Sequence, residues 1–266
     1  ERPTALPRRF AAPLLACARR IGAEQRFLHW PLAFPEVFHG QHNHRADAGF
    51  DAIIGNPPWD MVRGDSGDAD TRSTRRDDAR SLTAFVREAG IYRVKSRSHV
   101  NRYQLFVERA LQLARPGGRI GFVLPAGAMS DSGCAPLRRF LFDRARVDSV
   151  TSLDNHRGIF PIHPSLKFLL LTCSRGEPTN AVSCRFGISD PEQLGQPAAP
   201  VVMTLSLLAR LSGDDDLAIP EIQGERDVRL LERISARLPM LSASDGWHVA
   251  FGRELNATDR SEEHTS

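Results

Sequence analysis

The stretch Phe50-Asp51-Ala52-Ile53-Ile54-Gly55-Asn56-Pro57-Pro58-Trp59-Asp60 predicts a short buried β-strand that stops abruptly. Its first five residues are apolar apart from Asp51, and the β-branched Ile53 and Ile54 suit the pleated positions of a strand. Gly55 then ends the strand. In a sheet with parallel strands, a polar segment directly after a strand is a candidate ligand site.

The segment after this strand is stiff and polar. Pro57 and Pro58 have no N–H group, fix φ at roughly −65° and push the preceding residue toward extended geometry. The tip therefore presents the amide of Asn56, backbone carbonyls without competing donors, and the large ring of Trp59. The alternative is a plain strand followed by a proline turn.

This tip resembles motif IV of amino-methyltransferases, the Asn/Asp-Pro-Pro-aromatic signature of N6-adenine DNA methyltransferases. The resemblance implies that the Asn56 side-chain oxygen and the Pro57 carbonyl accept hydrogen bonds from the target amine and aim its lone pair at the methyl group. Trp59 would stack on the base after it leaves the duplex, which contributes ~1–3 kcal/mol. The implied catalytic residues are Asn56, Pro57, Pro58 and Trp59.

Composition fits a globular chain of one or two domains, because 41% of the 266 residues are hydrophobic and 25% are charged. The net charge of +3 permits nucleic acid as a partner. No apolar run reaches the ~18 residues of a membrane span, so no membrane partner is expected. The cysteines are scattered, which favours a cytoplasmic protein without a metal site. They are Cys17, Cys134, Cys173 and Cys184.

Both ends of the sequence look cut. The chain begins Glu1-Arg2-Pro3, without Met, and residues 260–266 resemble the translation of a sequencing adapter rather than a natural terminus. We divide the chain into the later part of a methyltransferase catalytic domain at 1–189, a linker with the start of a target-recognition region at 190–259, and this tail. A polar natural terminus is the alternative for the tail.

Aromatic residues recur over residues 27–38, upstream of the quoted stretch, and are interrupted by Pro31 and Pro35. This segment resembles the one in large restriction–modification methylases where the adenine of the cofactor is contacted. The resemblance makes His29 and Trp30 candidates for binding S-adenosylmethionine. The alternative is that Trp30, Phe34 and Phe38 pack against the sheet.

The segment after Trp59 is rich in Gly, Ser, Asp and Arg, and residues 65–78 read as a mobile loop. From Arg72 to Arg102 there are nine basic and three acidic residues. Such an excess favours contact with DNA phosphates, which position a protein without reading sequence. Arg72, Arg75 and Arg76 are the candidates for this contact, and a solvated face is the alternative.

Apolar residues at helical spacing predict helices over 81–88, 103–115 and 134–146. Short apolar segments predict strands over 119–124, 147–153 and 166–173. This order indicates an α/β fold with a mostly parallel sheet. Further on, we predict an edge strand over 182–188, helices over 204–211 and 227–237, and a solvated acidic run at 214–216. The predicted inward-facing residues include Phe106, Leu230, Leu231 and Ile234.

The order of these elements also resembles the methylase family. The resemblance implies a partial Rossmann-like sheet of the class I S-adenosylmethionine-dependent kind, with helices on both faces and a mixed C-terminal segment. The turn at 157–164 matches the turn before the antiparallel last strand of the family, where the family carries an aromatic on the far side of the flipped base. Phe160 is the candidate, so Trp59 and Phe160 would sandwich the adenine. The alternative is that Phe160 belongs to the core.

One departure concerns the cofactor. No glycine-rich loop for the methionine end of S-adenosylmethionine precedes Asn56, and an acidic residue for the cofactor ribose is also missing. We expect both to lie before Glu1 in the full enzyme, and this fragment alone to be inactive.

The resemblance implies a site-specific adenine-N6 DNA methyltransferase of a type IIG restriction–modification or phage-defence system. Double-stranded DNA would be its partner, and a nuclease would be fused or associated. The alternatives are an RNA or protein-glutamine N-methyltransferase, and a non-catalytic nucleic-acid-binding remnant.

Overall fold

The computed structural model describes residues 8–25, 28–39, 47–59, 80–94, 101–240, 246–247 and 249. The chain divides into two compact units, residues 1–49 and 50–266. The first unit contains three helices: α1 (Arg8–Gln25), α2 (Trp30–Ala33) and α3 (Pro35–Phe38). The prolines at 31 and 35 lie in the first turns of the two short helices, where a missing N–H costs nothing.

The second unit is built on a six-stranded sheet with the order β1-β2-β4-β3-β5-β6. Its strands are β1 (Phe50–Gly55), β2 (Ala114–Pro125), β3 (Ala145–Asp154), β4 (Lys167–Arg175), β5 (Ala181–Ile188) and β6 (Val201–Thr204). Four of these strands fall where the sequence patterns predict strands, and β2 is longer than predicted because it begins directly after a helix.

The sheet is mixed rather than mostly parallel, and the antiparallel strand that the family resemblance implies after the turn at 157–164 is confirmed. Only the pairs β1–β2 and β3–β5 are parallel, whereas β4 runs antiparallel to both of its neighbours and β6 runs antiparallel to β5. The physical reason is that residues 155–166 contain no helix that could carry the chain across the sheet. The chain therefore turns back, and β4 enters between β2 and β3. The prediction of an edge position for 182–188 is also wrong, because β6 covers that side of β5.

Six helices accompany this sheet, and their order follows the predicted alternation of helix and strand. They are α4 (80–88), α5 (Arg102–Leu113), α6 (Gly127–Ser130), α7 (Ala135–Arg144), α8 (Leu205–Ser212) and α9 (Glu225–Ser235). The helix predicted over 103–115 ends at Leu113, two residues early, because Ala114 already has extended geometry.

The core consists of two clusters on the two faces of the sheet. Along β4, Leu169 and Leu171 belong to the larger cluster together with side chains of α5, α7, α8 and α9. Phe168 points to the opposite face, as the period of two in a strand requires. There it joins a smaller cluster that contains Leu153 and Ile188.

Three predictions of inward-facing residues are wrong. Phe106 is 50% exposed, since the buried side of α5 runs through Tyr103, Val107 and Leu111 instead. On α9, Leu230 and Ile234 are also largely exposed, and Val228 is the buried residue.

The strand β1 is not buried as predicted. It pairs with β2 on one side, and within the described residues no strand pairs with its other side. Ile54 is 87% exposed as a result.

The acidic run at 214–216 is only partly solvated. Asp215 is exposed, whereas the Asp216 carboxylate pairs with the guanidinium of Arg138, whose side chain is fully buried. Arg138 also donates hydrogen bonds to the carbonyls of Ala128 and Asp131. A buried guanidinium requires such partners, so this contact ties α7 to the segment after α8.

No helix in the described part of the chain combines the length and the apolar character that a membrane crossing requires.

Candidate active site at the carboxyl edge of the sheet

The carboxyl ends of β1, β2, β3 and β5 lie along one edge of the sheet, because these four strands run in the same direction. The antiparallel β4 begins at this edge, where Phe168 is paired in register with Pro125 of β2 and with Leu153 of β3. Asn56 follows directly after Gly55, the last residue of β1. The predicted tip therefore lies at the edge where α/β sheets bind ligands.

Asn56 is exposed, Pro57 is buried and Pro58 is exposed. The buried ring of Pro57 anchors the tip, while Asn56 stays accessible to a ligand. No described residue hydrogen-bonds to the side chain of Asn56 or to the carbonyl of Pro57. Two acceptors without protein partners are thus available at adjacent positions on a backbone that prolines make stiff.

Glycine lets the start of β1 approach β2 closely. A Cβ atom at Gly118 would lie 2.7 Å from the carbonyl oxygen of Phe50 and 2.9 Å from that of Arg115. Both neighbours are backbone atoms, which have little freedom to move away. Arg115 also pairs with Asp51 of β1, Nε to Oδ1, at 2.6 Å. The position of the strand that leads to Asn56 therefore depends on Gly118.

Three aromatic rings meet beside the tip. The centroids of Trp59 and Phe168 are 6.3 Å apart with the rings tilted by 32°, and those of Phe160 and Phe168 are 4.8 Å apart in an edge-to-face arrangement. Phe168 is fully buried, whereas Trp59 and Phe160 are half-buried. The indole N–H of Trp59 is buried and has no hydrogen-bond partner in the described part of the chain. Such an unpaired donor costs about 1–3 kcal/mol.

Charged side chains at this edge form pairs. Asp154 lies 3.1 Å from the Nδ1 of His156, Lys167 lies 2.6 Å from Glu221, and the Arg157–Asp190 pair is at 3.6 Å. The backbone and side-chain hydrogen bonds from His156 lower the pKa of Asp154. The hydrogen bond to Glu221 raises the pKa of Lys167. The described part of this edge is therefore close to neutral rather than strongly basic.

The described residues contain no group of three or more His, Cys, Asp or Glu side chains placed to hold a metal ion. Burial raises the pKa of the Cys173 and Cys184 thiols to about 12. Neither thiol is thus an activated nucleophile, since reactivity requires the thiolate. What the edge offers chemically is hydrogen-bond acceptors and aromatic rings, which suits a reaction driven by positioning.

The structure brings together Asn56, Pro57, Pro58, Trp59 and Phe160 in the second unit. In the first unit, His29 is exposed at the start of α2, and Trp30 stacks on Phe34 with centroids 5.7 Å apart. Arg72, Arg75 and Arg76 lie outside the described residues. The roles of all these residues remain predictions.

Sequence reasoning missed three residues of the site: Phe168, Gly118 and Asn155. Phe168 was predicted only as part of a buried strand, and its place beside Trp59 depends on the register of β4. Asn155 is fully buried and hydrogen-bonds to the backbone of Phe160 and Ile162. Its one sequence signal was an amide residue between a strand and a glycine turn.

The model of the Eco57I restriction-modification methylase family matches residues 14–160, which is more than half of the chain. The chain belongs to this family. The match ends at Phe160 and includes Asn56 and Trp59, so it covers most of the edge described above. The class I methyltransferase fold expected from the sequence agrees with this membership and with the α/β architecture.

The chain also resembles individual members of restriction–modification systems. The type II restriction enzyme and methyltransferase RM.Eco57I of Escherichia coli is 27% identical over 111 residues, which are 41% of this chain and 10% of that protein. The chain thus spans about a tenth of the length of this curated relative.

Among solved structures, the M protein of the type I restriction enzyme EcoKI has a TM-score of 0.41 and 16% identity, over 77% of this chain and 54% of that one. The type I methyltransferase subunit of Streptococcus thermophilus has a TM-score of 0.43 and 13% identity, over 69% of this chain and 40% of that one. Similarity at this level says nothing about the activity of this chain.

Proposed function

We propose that this chain is the target-base half of a site-specific DNA methyltransferase that methylates the N6 amine of adenine. The observation that carries the proposal is the accessible Asn56 amide at the carboxyl end of β1, which has no hydrogen-bond partner among the described residues and is followed by a rigid Pro-Pro segment and Trp59. Membership of a restriction-modification methylase family supports it.

The chemistry explains why acceptors are needed at this point. The amine of adenine is a poor nucleophile because its lone pair is delocalised into the purine ring. When the Asn56 side-chain oxygen and the Pro57 carbonyl each accept one N–H, the nitrogen is turned so that its lone pair points out of the ring plane. These hydrogen bonds strengthen as positive charge develops on the nitrogen, so they favour the transition state over the ground state.

The aromatic rings would hold the base in this orientation. An adenine that leaves the duplex loses its stacking neighbours, and Trp59 with Phe160 would replace them on its two faces. Both rings now lie against Phe168. A shift of Trp59 toward a bound base would also free its buried N–H to meet water or an acceptor on the substrate.

The proposal assigns no complete cofactor site to this chain. S-adenosylmethionine supplies the methyl group in class I methyltransferases, but the described residues contain no glycine-rich turn between a strand and a helix that would hold its methionine end. His29 and Trp30 are the candidates for its adenine, and the exposure of His29 is compatible with that role.

Double-stranded DNA is the proposed substrate, with Arg72, Arg75 and Arg76 on its phosphates. The charged residues at the described edge are mostly paired, so the attraction for DNA would come from this basic segment. A restriction–modification setting, with a nuclease fused or associated, is proposed from the family and from the curated relative.

The test is a methyl-transfer assay with tritiated S-adenosylmethionine on the intact gene product. Equal amounts of double-stranded DNA, RNA and a glutamine-containing protein extract are offered separately. We expect label in DNA alone. Label only in RNA or in protein would overturn the substrate assignment, and no transfer to any of the three would favour the non-catalytic alternative.

A further inference from the structure

Asn155 lies at the start of the loop that carries Phe160, directly after the last residue of β3. It is fully buried, and its side chain makes three hydrogen bonds to backbone atoms of the same loop. The Nδ2 group donates to the carbonyl oxygens of Phe160 and Ile162, both at 3.1 Å. The Oδ1 atom accepts the N–H of Phe160 at 2.8 Å.

These bonds use both N–H donors of the amide and one of the two acceptor positions of its oxygen. A primary amide has two N–H donors and an acceptor oxygen, so it can bind the N–H and the C=O of one residue and the C=O of another. Asp lacks the donors, Ser has a single hydroxyl, and Gln is longer by a methylene group. The residue type therefore fits this position closely.

The backbone around Asn155 makes the loop compact. Gly158 has a φ of +69° and donates its N–H to the Asn155 carbonyl at 2.8 Å. The N–H of Ile162 reaches the Phe160 carbonyl at 2.8 Å. At the base of the loop, Asp154 is paired in register with Lys167. Without the Asn155 side chain, the N–H of Phe160 would lose its hydrogen-bond partner at a half-buried position.

The contacts of this loop hold the Phe160 side chain in place. Asn155 binds both backbone polar groups of Phe160, and the Phe160 ring packs edge-to-face with the ring of Phe168 on the sheet, with centroids 4.8 Å apart. The ring is thus held from its own backbone and from the side. On the exposed side of the same loop, His156 and Arg157 are more than half exposed.

We propose that Asn155 is a positioning residue, which holds the Phe160 ring at the height where the extrahelical base is stacked. The inference rests on the proposed function, because it assigns Asn155 a role in the same site. Asn155 touches neither the base nor the cofactor in this proposal, and it acts only through Phe160.

The first experiment measures the loop itself and does not depend on methyl transfer. Trypsin cuts after Arg157 only when the loop opens, so limited proteolysis of the intact protein, read by mass spectrometry, reports the open fraction. Asn155→Ala should speed this cleavage about tenfold. Asn180→Ala, which removes an exposed amide elsewhere, is the matched control and should leave the rate unchanged. An unchanged rate in Asn155→Ala would overturn the proposal.

The second experiment asks whether Asn155 acts through Phe160. Asn155→Ala should lower kcat/KM for the DNA substrate by roughly tenfold to 10²-fold, as expected when a group near the reaction is displaced by about 1 Å. In a Phe160→Ala background the same change should matter less than about twofold, because the positioned ring is gone. Reductions that multiply would overturn the positioning role, since they would show independent effects.

Two further outcomes separate this proposal from the proposed function. If the intact wild-type gene product transfers no methyl group to adenine, the proposed function fails, whatever the proteolysis shows. If transfer is normal in Asn155→Ala while cleavage after Arg157 is faster, only the positioning role fails. Should Asn155→Ala not fold, Asn155→Ser takes its place, because a hydroxyl can still bind one backbone group.

Discussion

At the scale of single side chains, Asn56 and Trp59 have different expected roles. Asn56 is exposed and has no side-chain hydrogen bond within the described part of the chain, so its removal should leave the fold intact and affect the reaction. Trp59 is half-buried in the aromatic cluster, so its removal should affect both packing and the base.

Trp59→Ala should cost ~1–3 kcal/mol in forming the state with the base flipped out. Trp59→Phe should recover much of this loss, because a π-face remains. The readout is the fluorescence of 2-aminopurine at the target position, which rises on unstacking and is quenched by an aromatic neighbour. We expect partial quenching with wild type and with Trp59→Phe, and a brighter signal with Trp59→Ala. Equal brightness of all three would exclude stacking by Trp59.

Phe160→Ala should raise the 2-aminopurine signal less than Trp59→Ala does, because nearby proline and backbone atoms still exclude water. If both rings hold one base, the two effects couple in a double-mutant cycle. A sharp fall in melting temperature with wild-type fluorescence would instead make Phe160 a core residue. The contact between Phe160 and the buried Phe168 is what a core role for Phe160 predicts.

The residues of the tip were predictable because their pattern is local. Strand, amide, two prolines and an aromatic follow one another within eleven residues. Phe168 and Asn155 were not, because they reach the site through a register between distant strands and through hydrogen bonds inside a loop. Phe168 has no local sequence signal, and the amide of Asn155 before a glycine turn is too common a pattern to single it out.

At the scale of elements, the approach of β1 to β2 depends on Gly118. A methyl group there would meet only backbone atoms, at 2.7 and 2.9 Å. Gly118→Ala should therefore lower the free energy of unfolding by roughly 1–3 kcal/mol, as overpacking does. It should also reduce methylation, since β1 carries Asn56.

The control is Gly195→Ala, because a Cβ at Gly195 meets no atom within 4 Å. Its effect on unfolding in urea should stay within about 0.5 kcal/mol. A Gly118→Ala protein as stable and as active as this control would show that the strand contact is looser than the structure indicates.

The basic segment after Trp59 gives a prediction about salt. Neutralising Arg72, Arg75 and Arg76 together should weaken DNA binding equally for all sequences. Each lost phosphate contact should reduce the slope of log K against log salt by roughly 0.9. Fluorescence anisotropy at several salt concentrations measures this. Neutralising Arg226, Arg229 and Arg233 on α9 is the charge-matched control. An unchanged slope in the first variant would show that Arg72, Arg75 and Arg76 are solvated and do not contact DNA phosphates.

Most elements were predictable from periodicity, and the family resemblance implied the antiparallel direction of the strand after the turn at 157–164, but the order of the strands in the sheet was not predictable. The strand over 166–173 was recognised from its continuous apolar run. Its direction depends on the connection at 155–166, which has no helix and therefore reverses the chain. Periodicity says which face of an element is apolar, and it does not say which neighbour covers it. Leu230 and Ile234 on α9 were misplaced for this reason.

At the scale of the whole molecule, the four cysteines differ in their exposure to solvent. Cys17 is exposed, whereas Cys134, Cys173 and Cys184 are buried. At pH 8 the thiols of Cys173 and Cys184 stay protonated, because their pKa of about 12 lies far above the pH. Alkylation by iodoacetamide, mapped by mass spectrometry, should label Cys17 quickly and these two only after unfolding. Fast labelling of Cys173 in native protein would contradict the core described for β4.

The central claim is that Asn56 activates the N6 amine of adenine. The most direct measurement compares single-turnover formation of N6-methyladenine, quantified by mass spectrometry of the digested DNA, between the full-length wild-type enzyme and its Asn56→Ala variant. Loss of a group that acts mainly in the transition state should fall on kcat. We expect Asn56→Ala to bind DNA within a few-fold of wild type and to form no detectable N6-methyladenine. A variant that retains more than a tenth of the wild-type rate would contradict the account.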